Sequence, residues 1–243
     1  RFAVYSDDHD GPASHVADRS VQASYEDERA LEAFARSVDA VTFEFENVPS
    51  VAGEIAARHC PVRPRGGLLH TVQNRQREKD GLVGIGLPVA TFAPVRTADE
   101  LRAAAEAIPG AGVLKTASFG YDGKGQVKVA GAHELEGAWA SLGRADAVLE
   151  TLVPFEREVS VVAARGVDGS IAIYEPFQND HANHILDVTT CPAELPDAQR
   201  ARIDEIARVA LEGLDVVGVL CIELFLLPGG DVLVNEIAPR PHN

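Results

Sequence analysis

Lys115, Gly120, Tyr121, Asp122, Gly123, Lys124, Gly125 and Gln126 are the residues of this chain best suited to handling phosphate. Three glycines within six residues let the backbone approach a ligand closely and turn several N–H groups the same way. Lys115 and Lys124 add fixed positive charge. Apolar runs flank the stretch, Val113-Leu114 before it and Val127-Lys128-Val129 after it, so the pattern predicts strand, glycine-rich turn, strand. The same pattern would suit a hairpin whose glycines serve only the turn. No Walker loop (Gly-x-x-x-x-Gly-Lys-Ser/Thr) occurs, and no Gly-x-Gly-x-x-Gly opens a helix.

Carboxylates are the second resource. Glu223 lies in Leu220-Cys221-Ile222-Glu223-Leu224-Phe225, and Glu236 in Val232-Leu233-Val234-Asn235-Glu236-Ile237, each an acid inside an apolar strand pattern. Such a group is costly to bury unless it meets a cation, and adjacent strands can bring two face to face. With Asn235 they offer the hard oxygens that Mg²⁺ takes when it also bridges nucleotide phosphates. Edge-strand glutamates reaching water would give the same pattern. Glu44 and Glu46 alternate with Val41, Phe43 and Phe45 and suit either a ligand-binding strand end or a solvated face. His9, His15, His59, His70 and His133 lack ligand spacing. Cys60, Cys191 and Cys221 lie far apart without a Cys-x-x-Cys, suggesting neither a disulfide framework nor a zinc site.

These groups need elements to hold them. Periodicity predicts a strand over 2–6, a helix over 27–38, a strand over 39–47 and a helix over 50–59, a parallel α/β unit lacking its first strand. A helix over 74–85 follows, carrying Arg75, Arg77 and Lys79. Strand 89–95, helix 97–108, the two strands around the glycine-rich turn, helix 132–142 and strand 147–150 would form a lid-like α+β subdomain over about 88–150. Strands 158–165 and 170–177 are joined by the turn 166–169. After a loop carrying His181 and His184 come helix 196–214 and a hairpin of 216–227 with 231–237.

The 243 residues exceed the usual single domain. A net charge of −15 argues against nucleic acid as a partner, while leaving room for a nucleotide held by a local basic site and a metal. No apolar run approaches membrane-spanning length and no signal peptide is visible, so no membrane is expected and the cytoplasm is the default. The chain contains no Met and opens on a strand, so both ends are expected to be cut.

The order of lysines, glycine loop, Glu150, Glu158, then Glu223 and Asn235-Glu236 on a terminal hairpin resembles the ATP-grasp superfamily. The resemblance covers about 71–243, with 1–70 similar to the partial Rossmann-like pre-ATP-grasp domain that precedes it in those enzymes. Within the superfamily, the 5-(carboxyamino)imidazole ribonucleotide synthase family is the most similar. Residues 39–49, the loop 119–126, 158–166 and 235–243 carry that likeness.

The resemblance implies ATP and Mg²⁺ as cofactors, bicarbonate and aminoimidazole ribonucleotide as substrates, and a homodimer. It implies that Arg75, Lys115 and Gly120 to Gln126 contact phosphates. Glu150, Leu152 and Val153 would meet adenine and Glu158 the ribose hydroxyls, with Thr151 and His181 also in the nucleotide site. Asn235 would assist, and Glu223 and Glu236 would ligate magnesium. Tyr121, Asp122 and Lys124 would lie over the reacting groups, and Arg240 with His242 would approach bicarbonate or the ribonucleotide phosphate. Formate-dependent glycinamide ribonucleotide transformylase shares this logic, and a non-catalytic ATP-binding scaffold is the alternative from another class. Asn74-Arg75 replaces the family's Asp-Arg pair. The 182–187 segment lacks the arginines that usually flank its apolar pair, which bears on substrate contacts there.

Overall fold

The computed structural model describes every residue except 9, 119–124, 183–184 and 242–243. Strands β1 (Ala3–Ser6) and β2 (Arg19–Gln22) pair in parallel. Helix α1 (Glu28–Ala35) begins where the Asp27 side chain accepts the Ala30 N–H at 3.0 Å. The strand expected over 39–47 does not form. Val41 makes one parallel bridge, to Val62, and the chain beyond it has no ladder among the described residues. Its carbonyls are satisfied otherwise: Gln73 Nε2 donates to the carbonyls of Glu46 and Val48, both at 2.6 Å. Helices α2 (Ser50–Ala57) and α3 (Gly66–Val72) touch through glycine, since a Cβ on Gly53 would lie 3.1 Å from the Gly66 Cα. The alternation gave no sign of β2 or α3. Leu31, Phe43, Ile55 and Leu69 form this region's core.

Helix α4 (Arg75–Gly84) starts at Asn74, whose side chain accepts the Arg77 N–H at 3.1 Å. Then come β3 (Phe92–Val95), α5 (Ala98–Ala107), β4 (Gly112–Thr116), β5 (Gln126–Val129), α6 (Leu135–Ser141) and β6 (Ala147–Thr151). The strands make an antiparallel sheet in the order β3-β6-β4-β5. Its core is separate and includes Leu101, Leu114, Leu149 and the only tryptophan, Trp139. Gly125 begins the return into β5 at φ +72°, where a Cβ would lie 2.6 Å from Thr116 Oγ1, so glycine is required.

The remaining elements are β7 (Arg157–Arg165), β8 (Ile171–Ile173), β9 (Phe177–Ala182), β10 (Ile185–Thr190), α7 (Asp197–Gly213), β11 (Gly218–Leu226) and β12 (Val232–Ala238). They form a sheet in the order β10-β9-β7-β11-β12, with β8 beside the far half of β7. The single strand expected over 170–177 is thus two pieces. Pro176, which has no N–H to donate, interrupts it, and β7 pairs with β8 and β9 in turn. His181 lies in β9, a strand paired with β10, where a loop was expected. Helix α7 lays Ile203, Ile206, Ala210 and Leu211 against Val161, Leu220 and Ile222. Among the described residues, no helix is long and apolar enough to cross a membrane.

Candidate functional site

Four elements, α4, β4, β6 and β12, converge on one buried cluster of charge. Arg75, Glu78, Lys79 and Leu82 recur at helical spacing and put one stripe of α4 against the ends of β6 and β12. The Arg75 N–H donates to the Ala117 carbonyl at 2.8 Å, and its Nη1 donates to Glu236 Oε2 at 3.2 Å. Glu78 Oε1 accepts the Ile237 N–H at 2.7 Å. Lys79 Nζ donates to the Asn235 carbonyl at 3.1 Å and lies 3.4 Å from Glu150 Oε2. Lys115, from β4, donates to that same oxygen at 3.0 Å.

The carboxylates are positioned by a bulge. Glu223 is the register partner of Glu236, but Leu224 pairs with Val234, so Asn235 has no register partner on β11. The extra residue brings Asn235 and Glu236 together at one sheet position and leaves the Asn235 carbonyl for Lys79. Asn235 Oδ1 is buried without a hydrogen-bond partner among the described residues. Among those residues no group of three or more His, Cys, Asp or Glu is arranged around a metal. Two carboxylates with one amide oxygen nevertheless fit Mg²⁺, which keeps waters and takes phosphate oxygens for the rest of its shell.

Two clefts meet at these residues. The larger is lined by Glu46, Asn47, Gln73, Ser118, Glu236 and Ala238. Arg240 closes on this region, its Nη2 lying 3.3 Å from Glu46 Oε1. The smaller is lined by Glu158, His181, Glu223, Phe225 and Asn235. There His181 Nδ1 lies 2.5 Å from Glu158 Oε2, and Phe225 stacks on Phe155 with centroids 4.5 Å apart, a flat apolar wall.

Titration follows burial and neighbours. Burial pushes the Lys115 ammonium down, with Glu150 opposing and Arg75 and Lys79 reinforcing. Burial alone would raise Glu150, but Lys115 and then Lys79 outweigh it and hold the carboxyl low. Glu158 is pushed up by burial and by the charges of Glu223 and Glu236, against the pull of His181. Glu78 is pushed up to about 8, first by burial and then by Glu236.

Because Glu78 is raised above its ordinary 4.5, the folded chain keeps a proton that the unfolded chain has released between those values. Its contribution to stability is complete below about pH 4.5 and is lost as pH rises toward about 8. Glu78→Gln keeps an acceptor for Ile237 without the charge. Its melting temperature should exceed that of the parent by a margin that widens from about pH 5 to about pH 8. Thermal melts across that range check this, and a constant margin contradicts it.

Of the residues singled out from the sequence, Arg75, Lys115, Glu150, Glu223, Asn235 and Glu236 lie in or beside the charged cluster, with Glu158 and His181 adjoining it. Thr151 ends β6 and Leu152 and Val153 follow it, the Thr151 and Leu152 N–H groups donating to the carbonyls of Thr91 and Ala111 at 2.9 Å. Gln126 begins β5, and the Gly125 carbonyl accepts from the Thr116 N–H at 2.8 Å. Gly120, Tyr121, Asp122, Gly123, Lys124, His184 and His242 lie outside the described residues. The sequence reading missed Glu78 and the role of Lys79. Their signal was present: charged residues three and four positions after Arg75 share its helix face with Leu82.

Residues 81–243 match the ATP-grasp domain family, and residues 1–73 match the ribonucleotide synthetase preATP-grasp domain. The N5-carboxyaminoimidazole ribonucleotide synthase of Brucella melitensis is 42% identical over 234 residues, covering 96% of this chain and 65% of the relative. A solved ADP complex of an N5-carboxyaminoimidazole ribonucleotide synthetase superposes with TM-score 0.93 at 36% identity, covering 99% of this chain and 64% of the other. The Aspergillus clavatus N5-carboxyaminoimidazole synthase, solved with ADP and 5-aminoimidazole ribonucleotide, gives TM-score 0.86 at 25% identity, covering 98% and 63%. The chain spans just under two thirds of the length of these relatives.

Proposed function

This chain belongs to the ATP-grasp family, and from that premise we propose that it uses ATP to join bicarbonate to the amine of 5-aminoimidazole ribonucleotide, giving 5-(carboxyamino)imidazole ribonucleotide for purine biosynthesis. The observation that carries this function is the meeting of Glu223, Asn235 and Glu236 at one strand bulge, within reach of Arg75 and beside the cluster that holds Lys115. Acid oxygens and fixed cations together are what a nucleotide triphosphate with its metal requires.

In the proposed reaction an oxygen of bicarbonate attacks the γ-phosphorus, the bond to the bridging oxygen breaks, and ADP leaves. The carbon of the resulting carboxyphosphate passes to the exocyclic amine, phosphate departs, and the amine loses a proton. Lys115 and Arg75 neutralise charge on the phosphates, a matter of positioning more than of covalent catalysis. Glu223 and Glu236, with Asn235 beside them, would hold Mg²⁺, which would supply Lewis-acid neutralisation of phosphate charge. Glu158 accepts from the ribose hydroxyls, with His181 fixing its carboxylate. Phe225 and Phe155 offer the flat wall for a base, beside Leu152 and Val153. Gln73 and Ser118 line the larger cleft, and Arg240 pairs with Glu46 of its lining, on the side suited to the ribonucleotide. Tyr121, Asp122 and Lys124 enter this scheme by resemblance alone. A cytoplasmic setting and a homodimer belong to the same proposal, and sedimentation tests the second.

The test is ADP release from MgATP with bicarbonate and 5-aminoimidazole ribonucleotide, set against glycinamide ribonucleotide with formate. Stimulation by the first pair alone is expected. Stimulation by the second pair would transfer the chain to the transformylase reaction, and MgATP binding without stimulation by either would leave a binding module.

A further inference from the structure

Glu150 is one carboxylate held by two ammonium groups. Lys115 Nζ lies 3.0 Å and Lys79 Nζ 3.4 Å from its Oε2. Their side chains are withdrawn from solvent: Lys79 is 1% exposed, Glu150 4% and Lys115 12%. The other oxygen, Glu150 Oε1, is buried with no hydrogen-bond partner among the described residues. The two lysines differ in their anchorage. Lys79 rises from α4 and is also bound to the Asn235 carbonyl that the β12 bulge leaves outside the ladder. Lys115 stands near the end of β4, next to the turn into the glycine-rich stretch.

A buried carboxylate that loses its partner is strongly disfavoured, so a lysine that alone neutralised Glu150 could not leave it for a ligand. Building on the ATP reading above, we propose that Lys79 is a positioning residue that frees Lys115 for nucleotide phosphate by keeping Glu150 neutralised from the α4 side. With Lys79 in place, the Lys115 ammonium exchanges a carboxylate oxygen for a phosphate oxygen and no buried charge is stranded. Lys79 itself touches no substrate and acts through Glu150. A mere strut between α4, β6 and β12 would have the same contacts but would not distinguish phosphate from the rest of the nucleotide.

Calorimetry with ATP and ADP, and ligand-observed NMR with adenosine, separate the two roles. Lys79→Met is expected to weaken ATP and ADP by about tenfold to a hundredfold and to change adenosine by less than about twofold. Lys79→Arg, which keeps a cation beside Glu150, should hold ATP affinity within about threefold of the parent. Equal losses for ATP and adenosine, or no loss for ATP, overturn the proposal. Should Lys79→Met fail to fold, Lys79→Gln decides: the same selective loss for ATP and ADP over adenosine is expected, and equal losses for all three, or no loss for ATP, overturn it. A parent chain that binds neither ATP nor ADP overturns the underlying ATP reading and this proposal with it, a result distinct from selective failure in the variants.

Discussion

Glu236→Gln should lower ATP-dependent turnover by about 10²–10³-fold while the chain stays folded, because the change removes one charge and few contacts. Glu236 faces Glu223 across the β11–β12 bulge and meets Arg75 at 3.2 Å. Glutamine can still accept from Arg75 but offers a metal no negative charge. The loss should therefore be greater for MgATP turnover than for metal-free ADP binding. Steady-state kinetics and calorimetry on the same preparation check this. Loss of metal-free ADP affinity in proportion to turnover would assign Glu236 to nucleotide contact instead.

Trp139→Ala carries the second large effect, which should be confined to one part of the molecule. Trp139 is buried in the four-stranded sheet's own core, donates from Nε1 to the Ala145 carbonyl at 2.9 Å and lies under the Arg144 guanidinium. Removing so large a side chain generally costs about 3–5 kcal/mol. This core is small and separate from that under α7, so it should open as a unit. Hydrogen exchange should accelerate across β3 to β6 and remain slow in β7, β11 and β12, with nucleotide affinity lost together with Lys115. Uniform acceleration would show that the two cores unfold as one.

The sequence disclosed the parts whose signals are local. Apolar alternation on both sides of Glu223 and Glu236 marked β11 and β12, and the glycine-rich turn marked the β4–β5 connection. It could not disclose the bulge at Asn235, because the pairing of Leu224 with Val234 is a matter of register between strands. Residues 39–47 alternate as a strand should, yet Gln73, distant in sequence, takes the carbonyls that a ladder would have used. Lys79 reads as an ordinary helix lysine until β6 and β12 are packed on α4 and enclose it. Glu78 likewise becomes a carboxyl titrating at about 8 only once burial and Glu236 surround it.

The most direct test of the proposed chemistry follows an oxygen atom. Bicarbonate labelled with heavy oxygen is supplied with MgATP and 5-aminoimidazole ribonucleotide, and the inorganic phosphate formed is analysed by mass spectrometry. Attack of bicarbonate on the γ-phosphorus predicts one labelled oxygen in each phosphate released, dependent on the ribonucleotide and formed about 10²–10³-fold more slowly in Glu236→Gln. Phosphate that is formed with ADP but carries no label would contradict carboxyphosphate formation and with it the function proposed for this site.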